Sequence, residues 1–506
     1  MRALLMYRDR DFDGAQALPV NASVLVQDLE LQTVFGAMAD GDEYLLDVAT
    51  KALLQGVSTD LDTIHYRQAI GRDCLKNPDV VHELYALTVA TIESKRKNHF
   101  GIFSNYPSAI LRGSIELLQM FSQSLLALRR IAENHAARFH SDGFRNLFAM
   151  LEREFDDAYL ERIHRHLAEL KFGRGILISA GLGTGNTGTD HVLRQQPANR
   201  QSWLDRLLGK GPPAHTFRIA DRDQAGASAL SELQDRGIHL VANALAQSAD
   251  HIAGFFEMLR TELAFYIGCL NLHGRLVDKG DAVSFPSPAL PGERRLLFHG
   301  LIDVCLTLSM TQPVVGNTVT ADGRNLVIVT GANQGGKSSF LRSVGVAQLM
   351  MQSGMFVGAQ AYAGSICTGL FTHYKREEDK ALKSGKFDEE LSRMSEIVDA
   401  LVPDAIVLFN ESFAATNERE GSEITRQIVR ALLEKRVRVI FVTHMYDFAR
   451  GVFDTHLPDA LFLRADRQPD GTRTFRLVEG EPLVTSFGDD LYAKTFGVAS
   501  AVGESA

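Results

Sequence analysis

A glycine-rich segment in the second half of the chain carries residues whose spacing fits polyphosphate binding. Gly331, Gly336, Lys337 and Ser338 match the pattern G-x-x-x-x-G-K-[ST]. Glycines let backbone N–H groups turn towards phosphate oxygens, the lysine ammonium group reaches the β- and γ-phosphates, and the serine hydroxyl binds Mg²⁺. We expect Lys337 to contact phosphate and Ser338 to be a magnesium ligand. The other loop residues predicted to surround the phosphates are Ala332, Asn333, Gln334, Gly335 and Ser339.

The elements on either side of this segment are those that such a loop needs. The apolar, β-branched run 326–329 predicts a buried parallel strand, and the pattern at 340–351 predicts a helix. The N-terminus of that helix adds positive potential where the phosphates are expected. A strand, a loop and a helix in this order favour a nucleoside triphosphate site over a chance glycine-rich turn.

Two further strands are predicted to end in polar side chains beside this loop. The run 404–409 is followed by Asn410 and Glu411, and the run 437–442 is followed by Thr443 and His444. In ATPases with such a loop, the first polar residue binds Mg²⁺ and the second, a carboxylate, orients or deprotonates the attacking water. An amide oxygen can coordinate Mg²⁺, but without negative charge it should hold the ion less tightly. We expect Asn410 to be a weak magnesium ligand and Glu411 to be the base.

His444 has two possible roles. A single histidine at a strand end is more often an ordinary capping or core residue. A histidine beside a γ-phosphate can also sense or polarise that group. Because His444 follows the two preceding motifs in the expected order, we assign it to the site.

Length and composition set the outer limits. The 506 residues predict two to four domains, and the 45% hydrophobic and 23% charged content is ordinary for a soluble globular protein. We expect no membrane span and no signal peptide. The four cysteines lie far apart and fit neither a zinc motif nor a disulfide framework, so we expect a cytoplasmic location. The net charge of −9 argues against a generally basic surface for nucleic acid, but a local basic groove stays possible.

The first half of the chain reads as mostly helical, with one insertion of a different kind. Helical patterns cover 61–76, 78–99, 105–171 and 223–276, whereas the insertion at 176–223 is rich in loop residues. A strand-like run at 176–180 precedes the Gly-rich stretch 181–188. No periodic helix follows that stretch, so a loop or hairpin is favoured over a dinucleotide site. We expect a short strand in the lead-in and another at 216–220.

The predicted organisation is therefore a lead-in at 1–25, a helical domain at 26–280 and an α/β nucleotide domain at 281–506. The basic run 95–99 fits either a solvated helix end or a phosphate contact. The role of the loop 181–213 stays open between a shortened clamp, a docking site for a protein and a disordered insertion.

Several segments together resemble the MutS family of mismatch-repair and recombination ATPases, a branch of the ABC ATPases. Their order along the chain is that of the family's Walker A loop, signature loop, Walker B and D-loop, switch histidine and Ser-Tyr-Gly helix. They lie at 330–339, 384–391, 410–421, 443–446 and 486–494. The helical half is similar to the family's core (lever) domain more weakly, at 62–75 and 262–276. The resemblance implies a mixed fold, with a largely α-helical core/lever domain followed by an α/β P-loop (ABC-type) ATPase domain.

What the resemblance implies about function is specific. It implies ATP and Mg²⁺ as ligands and a homodimer that closes on two ATP molecules. The signature loop of one subunit, with Phe387 and Glu390, would contact the nucleotide of the other. It also implies DNA as a partner, of duplex or branched structure, together with possible repair or recombination proteins.

The chain also departs from the family pattern. Asn410 stands where the family has the Walker B aspartate, and residues 413–415, Phe-Ala-Ala, replace a Gly-Arg-Gly core. We expect a short member without the N-terminal mismatch-recognition domain. The Phe-x-Glu sequence at 255–257 lies in a helical pattern and is interpreted as core.

Two classes of function stay open. In the first, the chain hydrolyses ATP, dimerises around it and uses helical levers to bind DNA. In the second, it is a nucleotide-gated scaffold for a protein partner with little hydrolysis, a role favoured by the net charge of −9 and by Asn410. A GTPase or a small-molecule kinase is disfavoured. The chain has no Asn-Lys-x-Asp guanine motif, and a kinase needs neither a signature loop nor a switch histidine.

Overall fold

The structure is a computed structural model. It describes residues 1–99, 106–173, 175–195, 218–220, 222–376, 385–468 and 472–483. The segment expected to form the Ser-Tyr-Gly helix, the first residue of the expected signature loop (Ser384) and Trp203 lie outside these residues.

Fourteen α-helices lie in the described ranges, and aspartate caps explain where several of them begin. Asp42, Asp60 and Asp156 begin α3, α4 and α8 by accepting hydrogen bonds from first-turn N–H groups. The α-helices are α1 (Ala22–Asp28), α2 (Leu31–Ala39), α3 (Glu43–Gln55), α4 (Leu61–Lys76), α5 (Pro78–His99), α6 (Pro107–His135), α7 (Asp142–Glu154), α8 (Asp157–Glu169), α9 (Gln224–Asp278), α10 (Val304–Ser309), α11 (Lys337–Gln352), α12 (Lys386–Ala400), α13 (Glu418–Glu434) and α14 (Tyr446–Phe453). The helices predicted at 61–76, 78–99 and 223–276 are confirmed.

Twelve strands lie in the described ranges, in three separate sheets. The strands are β1 (Leu177–Leu182), β2 (Gly188–Arg194), β3 (Ser287–Ala289), β4 (Leu296–Leu301), β5 (Asn317–Thr320), β6 (Leu326–Gly331), β7 (Ala361–Ser365), β8 (Leu370–Tyr374), β9 (Ile406–Asn410), β10 (Arg438–Val442), β11 (Ala460–Arg467) and β12 (Arg473–Glu479). The fold is thus mixed, helical in its first half and α/β in its second. None of the helices in the described ranges combines the length and the apolar character needed to cross a membrane.

The chain divides into two compact units. The first contains residues 1–3, 82–139 and 144–260, and the second contains residues 4–81, 140–143 and 261–506. The long helix α9 contributes residues to both units. The domain limits predicted at residues 25 and 280 stay a prediction.

The first unit is helical apart from the hairpin of β1 and β2. These strands pair antiparallel, and Gly185 adopts a φ of +68° in the turn between them. The hairpin interpretation of the Gly-rich stretch is therefore confirmed. The strand expected at 216–220 is absent from residues 218–220, which have no regular structure; residues 216–217 lie outside the described part.

The Phe-x-Glu sequence lies in the core of the first unit. Phe255 and Phe256 on α9 are buried, and the Phe256 ring stacks on Phe121 of α6 with ring centroids 5.8 Å apart. The exposed Glu257 carboxylate lies 3.4 Å from the Lys95 ammonium group at the end of α5. The interpretation of this sequence as core is confirmed.

The second unit is built on a six-stranded sheet with the order β12-β11-β6-β10-β9-β8. All strands except β12 run parallel to their neighbours. Every residue of β6 and β10 is buried, as the apolar runs within them, 326–329 and 439–442, predict for central parallel strands. The Phe409 and Phe441 rings stack 4.8 Å apart between neighbouring strands. A smaller sheet has the order β3-β7-β4-β5.

The first 21 residues form no strand, contrary to expectation, because side chains from distant helices satisfy their backbone groups. The buried Glu262 carboxylate on α9 accepts hydrogen bonds from the N–H groups of Leu5 (2.6 Å) and Phe12 (2.8 Å). The Tyr266 hydroxyl donates to the Leu5 carbonyl, and the Arg67 guanidinium donates to the Met6 carbonyl. This segment therefore has the hydrogen bonds that a sheet would otherwise supply.

Glu262 should make stability depend on pH. Burial raises the pKa of Glu262 from 4.5 to about 7, and the Leu5 and Phe12 N–H groups only partly oppose the rise. Since the folded-state pKa is raised, this contribution to stability is complete below pH 4.5 and is lost as the pH rises through about 7. We predict that Tm of the wild-type protein falls more steeply over this window than Tm of Glu262→Gln.

The comparison needs Tm of both proteins at several pH values. The exposed Glu232, also on α9, supplies the control Glu232→Gln, whose Tm curve should parallel that of the wild type. Parallel curves for Glu262→Gln and the wild type would contradict the prediction.

Candidate functional site

The loop between β6 and α11 has a backbone that requires glycine at several positions. Gly331 and Gly336 have φ values of +106° and +86°, which side chains strongly disfavour. A Cβ atom at Gly331 would lie 2.9 Å from the Ala465 backbone nitrogen, and one at Gly335 would lie 2.6 Å from the Ala465 Cβ atom. The glycines therefore allow the loop to fold closely against β11.

Lys337 begins α11 and its ammonium group lies inside the loop. Its side chain is buried, and Nζ donates hydrogen bonds to the carbonyl oxygens of Gly331 (3.0 Å) and Ala332 (2.8 Å). Burial lowers the pKa of Lys337 to about 8, while the negative charge of Glu411 opposes this shift. The loop thus holds a cation beside backbone N–H groups, an arrangement suited to phosphate oxygens.

Ser338 and Asn410 meet at the mouth of the loop. The Ser338 hydroxyl donates a hydrogen bond to the Asn410 Oδ1 atom over 3.1 Å. Mg²⁺ binds oxygen ligands at 2.0–2.1 Å in an octahedron, so neighbouring ligands lie about 2.9 Å apart. Two neutral, hard oxygen atoms at this separation fit adjacent ligand positions of one magnesium ion.

Glu411 and His444 form a hydrogen-bonded pair at the ends of β9 and β10. The His444 Nε2 atom lies 2.8 Å from the Glu411 Oε1 atom, and the side chains are 30% and 33% exposed, respectively. The hydrogen bond from His444 is the main cause that lowers the pKa of Glu411, helped by the charges of His444, Lys337 and Lys375. Glu411 is thus an ionised, partly accessible carboxylate that can accept a proton from water.

Parallel strand pairing places these groups at one edge of the sheet. Val442 on β10 pairs with Asn410 on β9, and the Glu411 N–H donates to the Val442 carbonyl over 2.9 Å. On the other side of β10, the Thr443 N–H donates to the Val329 carbonyl on β6 over 3.1 Å. The carboxyl ends of three adjacent strands therefore carry the loop, the Asn410–Glu411 pair and His444.

The structure adds two cations that sequence reasoning missed. The Arg473 Nε atom on β12 donates to the Asn333 carbonyl in the loop over 3.3 Å. Lys375, directly after β8, contributes to lowering the pKa of Glu411, and its N–H donates to the Asn410 carbonyl over 2.9 Å. No local pattern marks either residue. Only the strand order brings them to the site.

An apolar pocket lies beside the loop and was also missed from the sequence. Gly336 and Ser339 form its edge on the loop side, and Phe340 of α11 contributes to its wall. Further apolar lining comes from β4, α10, the segment before β5 and β12, and includes Leu301, Leu306, Val314, Val315 and Phe475. A flat, mostly apolar group attached to phosphates in the loop would fit this pocket.

Phe387 and Glu390 make their contacts elsewhere in the second unit. The half-buried Phe387 packs against a hydrophobic cluster that includes Phe413. The Glu390 side chain is 2% exposed, and its backbone carbonyl lies 3.0 Å from the His373 Nε2 atom. The proposed contact of these residues with a second subunit stays a prediction.

Comparison with known proteins identifies two matching family models. The MutS2 N-terminal domain matches residues 59–279, and MutS domain V matches residues 327–500. The second match includes the loop, Asn410, Glu411 and His444. A mismatch-recognition domain is not among the matches.

Individual relatives match shorter stretches. MutS protein homolog 4 of Mus musculus is 30% identical over 159 residues, or 31% of this chain and 16% of the relative. The DNA mismatch repair protein MutS of Prochlorococcus marinus is 27% identical over 280 residues, or 54% of this chain and 29% of the relative. The DNA mismatch repair protein MutS 2 of Halobacterium salinarum is 29% identical over 192 residues, or 37% of this chain and 22% of the relative.

The matched stretches thus span less than a third of these three relatives. The two family models nevertheless match the helical half and the α/β half of the chain in the order in which it carries them. With the relatives, they show that this chain belongs to the MutS family.

Proposed function

We propose that this protein binds and hydrolyses ATP with Mg²⁺, closes as a homodimer around ATP, and couples this cycle to DNA binding in mismatch repair or recombination. The observation that carries the proposal is the convergence of Lys337, the Ser338–Asn410 pair and the Glu411–His444 pair on one sheet edge. These groups supply the phosphate contact, the metal ligands and the base that an ABC-type P-loop ATPase needs.

Each side chain has a distinct part in hydrolysis. The Lys337 ammonium group contacts the β- and γ-phosphates, exchanging the Gly331 and Ala332 carbonyls for phosphate oxygens. Ser338 and Asn410 hold Mg²⁺, which when bound offsets negative charge on the phosphate oxygens. Glu411 orients a water molecule and takes its proton, and His444 holds the Glu411 carboxylate in place and polarises the γ-phosphate.

The apolar pocket supports a purine base as the flat group next to the phosphates. Its walls include Val314, Val315 and Phe475, and its edge includes Gly336 and Ser339 of the loop. A base bound there would be attached to phosphates held by the same loop. The preference for adenine over guanine comes from family membership.

Dimerisation completes each site in this proposal. Within one chain, Phe387 and Glu390 contact the hydrophobic cluster and His373 rather than the loop. The family pattern assigns this segment to the nucleotide of the partner subunit. We infer that two copies close face to face and that each supplies Phe387 and Glu390 to the site of the other.

DNA is the partner that the relatives' names support. Two of the relatives described above are DNA mismatch repair proteins. In the present chain, α9 contributes residues to both units, so it offers a continuous element for coupling ATP binding to the helical unit. Arg96 and Lys97 are exposed near the end of α5 and are candidate phosphate contacts.

The first prediction from this proposed function concerns ATP hydrolysis and its response to DNA. We expect the purified protein to hydrolyse ATP at a rate that changes with at least one of homoduplex, mismatched duplex and a four-way junction. Glu411→Gln should lower kcat about 100-fold or more and retain ATP binding, because it removes the base. Lys337→Ala should abolish ATP binding.

The measurement is steady-state turnover with each DNA, together with ATP affinity from a fluorescent analogue. Exposed Glu434 at the end of α13 supplies the control Glu434→Gln, which should behave as wild type. A rate that is the same with every DNA would contradict the coupling to DNA. ATP binding with negligible turnover would instead favour the alternative, a nucleotide-gated scaffold for a protein partner, which the neutral Asn410 also favours.

The second prediction concerns the neutral magnesium ligand. Asn410→Asp adds a negative charge 3.1 Å from the Ser338 hydroxyl, so we expect a lower Mg²⁺ concentration for half-maximal turnover and a higher kcat. The measurement is a Mg²⁺ titration of ATP hydrolysis at saturating ATP. Ser338→Ala should shift the titration in the opposite direction. If Asn410→Asp changes neither quantity, the neutral side chain is not what limits the site.

The third prediction tests whether each site needs two chains. Lys337→Ala and Phe387→Ala should each be inactive, but a heterodimer of the two contains one site with both side chains intact. With random pairing, half the dimers are mixed and each has one site with both side chains intact, so the mixture should be more active than either variant alone, with about a quarter of wild-type activity as the upper limit. A mixture no more active than the separate variants, although heterodimers form, would contradict the shared site.

A further inference from the structure

A buried histidine links the segment containing Glu390 to the residues that follow Glu411. His373 lies on β8 and is fully buried. One ring nitrogen, Nε2, lies 3.0 Å from the backbone carbonyl of Glu390 on α12, and the other, Nδ1, lies 2.8 Å from the Ser412 hydroxyl. Ser412 is the neighbour of Glu411, so one side chain bridges two parts of the proposed machinery.

The surroundings fix the protonation of this ring. Burial lowers the pKa of His373 to about 4, and the nearby positive charge of Arg393 adds to the shift. The ring is therefore neutral at physiological pH and carries one proton. Because the Glu390 carbonyl can only accept, Nε2 carries the proton and donates it. Nδ1 is then an acceptor, and the single proton of the Ser412 hydroxyl is shared between Nδ1 and the His373 backbone carbonyl.

The backbone on both sides of Ser412 is in an unfavourable conformation. Glu411 and Phe413 have φ values of +54° and +63°, in the left-handed region that large side chains rarely adopt. Such a conformation persists only where surrounding contacts hold it. The Ser412 side chain, fully buried between these two residues, makes its hydrogen bonds with His373.

The aromatic residue that departs from the family pattern completes this cluster. Phe413 is fully buried and its ring stacks on the His373 ring, with centroids 5.0 Å apart and planes 17° apart. The Phe409 ring packs against both, at 5.8 Å from His373 and 6.1 Å from Phe413. Phe413 thus packs the histidine in a single orientation.

The first turn of α12 also packs near the same turn. Phe387 packs against the hydrophobic cluster that includes Phe413. The Glu390 carboxyl group is buried with no hydrogen-bond partner for either oxygen among the described residues, and burial raises its pKa, while the charge of Arg393 and the nearby Phe413 N–H oppose the rise. A shift of this end of α12 would therefore change the packing of residues 411–413.

We propose that His373 is a positioning residue which, through Ser412 and Glu390, couples the segment beginning at Phe387 to the orientation of Glu411. This inference rests on the proposed ATPase function. When the partner's nucleotide engages that segment, the Glu390 backbone shifts, the hydrogen bond to His373 changes, and Ser412 carries the change to Glu411. Hydrolysis is thereby tied to closure of the dimer.

The experiment tests separately the two hydrogen bonds of the His373 ring, one to Ser412 and one to Glu390. Asparagine places a polar atom near the Nδ1 position and glutamine places one near Nε2, so His373→Asn retains the link to Ser412 and His373→Gln retains the link to Glu390. Ser412→Ala removes one link with minimal change in packing. The matched control is Thr425→Ala, which removes a buried hydroxyl on α13 that bonds only within its own helix.

We expect Ser412→Ala and both His373 variants to lower kcat at least tenfold while the Kd for ATP stays within twofold of wild type. Thr425→Ala should leave both quantities unchanged. Ser412→Ala combined with His373→Gln should be no slower than Ser412→Ala alone, because Ser412→Ala already removes the hydrogen bond between Ser412 and the side chain at position 373. If the His373 variants do not fold, comparison of kcat and the Kd for ATP between Ser412→Ala and Thr425→Ala still tests the inference.

The outcomes separate the inference from the function on which it rests. A wild-type protein without ATP turnover overturns the proposed function and this inference together. Wild-type turnover with an unchanged kcat in Ser412→Ala overturns the inference alone. If the variants weaken ATP binding as strongly as they lower kcat, these residues have a structural role and the inference is overturned. The same holds if the reductions in kcat from Ser412→Ala and His373→Gln add in the double variant.

Discussion

The site depends on the parallel pairing of β6, β10 and β9. Because the strands are parallel and adjacent, their carboxyl ends meet at one edge, and hydrogen bonding continues past the strands into the functional residues. The Thr443 N–H bonds to Val329, the Glu411 N–H bonds to Val442, and the Lys375 N–H bonds to the Asn410 carbonyl. Backbone hydrogen bonding therefore places the loop, Glu411 and His444 at the same edge of the sheet. The Ser338–Asn410 and Glu411–His444 distances follow from this register.

Those parts of the fold that local sequence encodes could be predicted. The buried strands β6, β9 and β10 are continuous apolar runs, and the loop after β6 has glycines where φ is positive or where β11 approaches closely. The long helix α9 and the hairpin at 177–194 also follow from local patterns. The site residues at strand ends were predictable for the same reason, since a polar residue after an apolar run marks the edge of a parallel sheet.

What the sequence did not reveal depends on contacts between distant residues. The first residues of the chain were expected to form a strand, but Glu262, 250 and 257 residues away from Phe12 and Leu5, accepts hydrogen bonds from their N–H groups instead. Arg473 reaches the loop from β12, and Lys375 reaches Glu411 from the end of β8. His373 and Ser412 are 39 residues apart, and neither lies in a pattern that would single it out. Such partners become visible only once the strand order is known.

Asn410 and Phe413, the two departures from the family pattern, both bear on ATP hydrolysis in the proposed function. Asn410 removes a negative charge, so Glu411 is left facing Lys337 and Lys375, and both cations help to keep it ionised. Arg473 adds positive charge next to Lys337 and helps to lower the pKa of that lysine. The net positive charge around a bound polyphosphate would therefore be higher than with an aspartate at position 410. Binding of the polyphosphate would then depend less on Mg²⁺.

The second departure, Phe413, limits the movement of Glu411. Phe413 occupies a position where the family has glycine, and its ring packs on His373 and Phe409 in the core. A glycine there would leave residues 411–413 free to change conformation, whereas the buried ring must move together with its neighbours. Under the proposed function, the neutral Asn410 favours nucleotide binding, and the packed turn makes the orientation of Glu411 depend on α12. The two features would then describe a site in which ATP binds readily and hydrolysis follows a conformational change outside the phosphate loop.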